Sequence, residues 1–62
     1  GLIKAGLATG VMTQAGAWYR MADGSHAPGW QGEKAFRTAI DEDPRLYASV
    51  RKAIRDAYQA MP

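Results

Sequence analysis

The sequence predicts an α+β domain, with three or four helices packed on a short antiparallel β-hairpin. Three features carry that expectation. The pair Asp43-Pro44 opens a run whose apolar residues recur at helical spacing. The stretch AWYRM (17–21) is short, aromatic and suited to alternating strand geometry. Asp23-Gly24-Ser25, followed by Pro28-Gly29, is a turn signal between that strand and a short return strand near Trp30-Gln31.

Taken in order, residues 2–9 (LIKAGLAT) read as a short helix with Leu2, Ile3 and Leu7 on one face, weakened by Gly6. Gly10 is the expected stop, because glycine reaches the left-handed conformation without strain. Val11 to Ala15 read as one more helical turn. The ribbon follows, and because two strands alone are marginal in water it must pack on helices. Residues 33–40 (EKAFRTAI) restart helical spacing, with Phe36, Ala39 and Ile40 on one face and Glu33 suited to the helix N-terminus. Asp41 and Glu42 read as turn residues. Asp43 is then a good N-cap and Pro44 fits the first helical position, where its missing N–H costs nothing. The last helix is expected to run to about Met61. Leu46, Val50, Ala53, Ile54, Ala57 and Met61 form its apolar stripe.

Composition narrows the functional classes. The chain has 62 residues, of which 47% are hydrophobic, but 12 of those are alanine and only 17 are large. So few large side chains cannot build both a core and a deep catalytic pocket, so a free-standing enzyme is not expected. The absence of cysteine excludes disulfides, thiol chemistry and Cys-based zinc sites, and the single His26 is not a metal site without carboxylate partners. No cofactor is expected. No apolar run is long enough to span a bilayer, so no membrane partner is expected, and a chain without cysteine suits the reducing cytoplasm. The chain reads as one domain, 1–62, and with no initiator Met as a fragment trimmed from a longer one. Net charge is +2, unevenly spread: residues 41–43 carry −3 and residues 44–62 carry +3. That distribution hints at a polyanionic partner or at a solvated helix face.

The order of motifs carries a family resemblance. Ala15-Gly16-Ala17-Trp18-Tyr19 follows a short helix of small residues, then come a turn and Gln31-Gly32, and twelve residues after Gly32 stands Pro44, opening an amphipathic helix with a charged outer face. This order resembles the C-terminal domain of RecA-like recombinases of bacteria or phages, across nearly the whole chain. The sequence departs from the family where Trp30 replaces the first glycine of a Gly-Gln-Gly turn, and where Gln14 and Glu33 replace residues that are often basic. The loop ADGSHAPG is also some three residues longer. The resemblance implies a non-catalytic module that helps capture double-stranded DNA, while ATP hydrolysis and filament formation belong to an upstream ATPase core domain of the same chain. The chain itself contains no GxxxxGK[ST] phosphate loop.

On that reading Arg20, Lys34 and Arg37 are the candidate phosphate contacts, where ribbon meets helix. Gly29 and Gly32 would let backbone N–H groups approach phosphate, aided by the N-terminus of helix 33–40 and opposed by Glu33. Trp18 is expected to anchor the core, with Tyr19 on the other, more open face. Trp30, in a loop beside His26, is a candidate contact, the alternative being that it folds back over the hairpin or the last helix. Arg51, Lys52 and Arg55 form a second basic cluster whose plain reading is a solvated face next to Asp56. His26 reads as a surface residue. A protein-interaction or assembly module without DNA binding, docking through Leu2, Ile3, Leu7 and Trp30, is the alternative function. A helix-turn-helix over 33–61 is a third, disfavoured because it offers few Asn or Gln side chains to read base edges.

Overall fold

The computed structural model describes residues 1–61. The chain forms α1 (Leu2–Thr9), β1 (Met12–Ala15), β2 (Trp18–Met21), β3 (Trp30–Gln31), α2 (Glu33–Glu42) and α3 (Pro44–Ala60). The class is α+β, with three helices and one antiparallel sheet in the order β1-β2-β3 among the described residues.

The expected return strand at Trp30-Gln31 is present, pairing Trp18 with Gln31 and Tyr19 with Trp30. The segment expected to add a helical turn, 11–15, is instead a strand. It pairs with β2 through Met12↔Met21, Thr13↔Arg20, Gln14↔Tyr19 and Ala15↔Trp18, closed by a tight two-residue turn at Gly16-Ala17. The physical reason is cooperative. Gly10 in the left-handed conformation (φ 80°) ends α1 and turns the chain, and Val11 then accepts from Ala22 N–H at 2.9 Å, extending the ladder. A single helical turn after Gly10 would have left those ladder groups unpaired.

α2 also runs two residues further than the spacing implied, so Asp41 and Glu42 are helical. Asp43 serves both helices at the corner. Its backbone N–H donates to Ala39 O at 3.1 Å, closing α2, while its carboxylate Oδ1 accepts from Arg45 N–H at 3.1 Å and Leu46 N–H at 3.2 Å. Such a cap is worth about 1 kcal/mol, and Pro44 at the first position of α3 completes it.

The core is Met12, Met21, Phe36, Leu46, Val50 and Ile54. Val50 is wholly inaccessible and Phe36 only 1% exposed. α3 is the spine. α1 packs on it and on β1, while α2 packs on it and on β3, so each outer strand meets its own helix. Leu46, Val50 and Ile54 supply the buried part of the α3 stripe, whereas Met61, expected to extend it, lies beyond the helix and is exposed. Gly6, read as a weak point of α1, is instead its point of closest approach. It is buried, and a Cβ there would lie 2.8 Å from Met12 Cγ and Sδ.

Candidate nucleic-acid interface

Strand parity decides which side chains are offered outward. Successive residues alternate faces and directly opposed residues share one. The buried pair Met12↔Met21 fixes the core face, so Tyr19, two residues from Met21, and Trp30, opposite Tyr19, turn inward with it. Both pack against the core. Thr13, Ala15, Trp18, Arg20 and Gln31 therefore occupy the other face. All but the half-buried Trp18 are exposed.

This inverts the sequence expectation for the two aromatics. Trp18 is not the core anchor, and Tyr19 is the residue of the pair that packs inward. Met21 decides it. The buried end of β2 leaves no freedom for Trp18 to share its face. On the core side Gln14 Nε2 donates to the Tyr19 hydroxyl at 3.4 Å and to Gly16 O at 3.1 Å. Trp30 packs inward, on Phe36 of α2 and not over the last helix. Its ring lies 4.9 Å from Phe36 in an edge-to-face arrangement, a geometry worth about 1 kcal/mol beyond burial. His26, exposed, sits with its ring 6.0 Å from Trp30.

The candidate cations divide. Arg20 projects from the outer face and lines a small concavity of about 190 Å³ with Gly24, Ser25 and Pro28 of the 22–29 loop. Arg37 lines a different one, the groove of about 670 Å³ between α1 and α2, and its Nε lies 3.8 Å from Glu33 Oε1. That pair is exposed on both sides and so contributes at most about 1 kcal/mol, but it offsets the Arg37 charge. Lys34 lines neither. Among the described residues the ion pairs are Arg37–Glu33 and Lys52–Asp56, leaving Arg20 and Lys34 without a carboxylate partner. Arg20 and Lys34 are thus the free cations of the predicted set.

The backbone donors are more committed than the glycines suggested. Gly32 N–H donates to Ala17 O at 2.7 Å and Gly29 N–H to His26 O at 2.9 Å, so neither is available to a phosphate. What Gly32 does leave is open space, since nothing lies within 4 Å of where its Cβ would be. The free donors of α2 are those of its first turn, residues 33–35. In the loop, hydrogen bonds from Ser25, from its side chain first and then from its backbone N–H at 2.8 Å, hold Asp23 below the usual carboxylate range. Hydrogen bonding from Lys52, with Nζ at 2.9 Å, does the same for Asp56.

No protein-family model, no curated protein and no solved structure matches this chain. Among the described residues no three His, Cys, Asp or Glu side chains gather to hold a metal ion, and no helix is long and apolar enough to cross a membrane. Two outer-face residues, Thr13 and Gln31, escaped sequence reasoning. The signal that locates them is the alternation back from Met21, which becomes readable only once β1 is recognised as a strand.

Proposed function

We propose that this chain is a non-catalytic double-stranded-DNA-binding module, the C-terminal domain of a RecA-like recombination protein. In that role it would work in the cytoplasm beside an upstream ATPase core domain of the same chain. The observation that carries the reading is the division of the sheet. Tyr19, Met21 and Trp30 turn to the core, while the opposite face keeps Thr13, Gln31 and an Arg20 guanidinium with no carboxylate partner. The resemblance of Ala15–Tyr19 and Gln31-Gly32 to that family supplies the partner.

The mechanism is phosphate capture without base reading. Arg20 and Lys34 neutralise phosphates, Arg37 adds to the field to the extent Glu33 leaves it free, and the open space at Gly32 lets a sugar-phosphate strand come close. Trp30 serves by holding β3 on Phe36 rather than by touching DNA. Two or so phosphate contacts give weak binding alone, so useful affinity comes from many copies arrayed along a filament of the parent protein.

The expected behaviour is weak binding of a labelled linear duplex at low salt, with log affinity falling against log salt at a slope of about −2 for two phosphates. Arg20→Glu is expected to weaken it by about tenfold at low salt, measured by fluorescence anisotropy. Binding that ignores both salt and the Arg20 substitution would remove this reading. An assembly module without DNA binding is favoured by one observation, the α1–α2 groove floored by Leu2, Ile3 and Leu7. Those three side chains are already half-buried against the core, which leaves less of them to offer a partner.

A further inference from the structure

α3 carries a second exposed pattern that the duplex reading does not use. Tyr47, Arg51, Arg55 and Tyr58 follow one another at steps of four, four and three residues, which sets them along one flank of the helix beside its buried stripe. Tyr47 is 40% and Tyr58 54% exposed, large aromatics that the core does not take up. The Arg51 guanidinium lies 5.5 Å from the centre of the Tyr47 ring, a cation–π contact that keeps it extended along the helix surface. Between this flank and the start of α1 is an open groove of about 450 Å³, with Leu2 and Ile54 as its floor and Arg51, Arg55, Tyr58 and Gln59 around them. Among the described residues no carboxylate lines it. The nearest in sequence, Asp56, is held by Lys52 Nζ at 2.9 Å.

We propose that this groove docks a short acidic segment of a partner protein, with flanking carboxylates on Arg51 and Arg55 and an aliphatic or aromatic side chain against Tyr58 and the exposed part of Leu2. Two arguments select that occupant. The rim holds two guanidiniums with no carboxylate partner among the described residues, a charge complement to Asp or Glu, and guanidinium pairs with carboxylates in a fixed two-pronged geometry. The floor is apolar and flanked by tyrosine, and Tyr and Arg are among the residues enriched at the energetic centres of protein–protein interfaces. A phosphate backbone would use the arginines but leave the apolar floor and Tyr58 without a purpose. The proposal is independent of the sheet face, because it shares no residue with Arg20, Lys34 or Gly32.

The test is fluorescence anisotropy of this chain with a labelled short peptide in which aspartates flank a Leu-Phe pair, run beside the same peptide with every Asp replaced by Asn. The acidic peptide is expected to bind and the Asn peptide to lose most of that affinity. The double variant Arg51→Glu/Arg55→Glu alters only exposed side chains and is expected to weaken the acidic peptide by about tenfold or more. Tyr58→Ala weakens it too, while Arg20→Glu leaves it unchanged. Equal binding of the two peptides, no binding of the acidic one, or indifference to the double variant would overturn the proposal. So would displacement of the peptide by a duplex that itself depends on Arg51 and Arg55, which would assign the surface to nucleic acid.

Discussion

Gly29→Ala is expected to lower stability by about 2–4 kcal/mol. Two causes act at one position. Gly29 has φ 97°, where an L side chain is strained. Its Cβ would also run into the Tyr19 carbonyl oxygen and the Arg20 side chain, because the returning loop crosses β2 at that point. Backbone cannot step aside as a side-chain tip can, so β3 would have to shift off β2. Gly24→Ala separates the two causes. Gly24 shares the positive φ, at 82°, but has nothing within 4 Å of a new Cβ, so it should cost only about 1 kcal/mol. For a domain of this size 1 kcal/mol moves the melting temperature by about 4–8 °C, so thermal melts followed by circular dichroism resolve the pair. Equal losses at the two glycines would mean that the close crossing of loop and strand is absent.

Phe36→Ala is expected to cost about 3–5 kcal/mol. A domain this small has a total stability of only about 3–9 kcal/mol, so much of the population should unfold. Phe36 is 1% exposed, sits among the core residues and meets Trp30 edge to face at 4.9 Å. It is the peg between α2 and the last strand. Its loss should free Trp30, shifting tryptophan emission to the red even in the folded fraction. Phe36→Leu keeps most of the volume and should cost about 1–1.5 kcal/mol, leaving a folded protein in which the Trp30 effect can be read. Unchanged emission in that variant would show that Trp30 does not depend on the contact.

Asp43-Pro44 placed the α2–α3 corner, because capping is local chemistry: a carboxylate two and three residues from the N–H groups it accepts. The α3 stripe was legible for the same reason, its spacing being set by helix geometry alone. β1 was not legible. Met12–Ala15 is four residues with no clear alternation, and what makes it a strand is pairing with β2, a non-local event. Missing it meant missing the parity of β2, and that error carried Trp18 to the core in place of Tyr19. For the site, the sequence offered Arg20, Lys34 and Arg37 as candidate cations but not the company each keeps. That Glu33 would take up Arg37 follows from an i,i+4 step visible in the chain. That Gly32 and Gly29 spend their N–H groups on Ala17 and His26 depends on how the loop returns, which no spacing encodes. The Tyr47–Tyr58 flank went unread because its arginines looked like an ordinary solvated face until the groove beside them was visible.

The central claim is that the open face of the sheet, together with the first turn of α2, meets a duplex. A titration of the ¹⁵N-labelled chain with a short linear duplex at low salt, followed by backbone amide shifts, tests it most directly. The claim predicts shifts concentrated at Thr13, Arg20, Gln31, Gly32 and Lys34, fading as salt is raised. A spectrum that does not move at those amides, or that moves instead along Arg51, Arg55 and Tyr58, would contradict it.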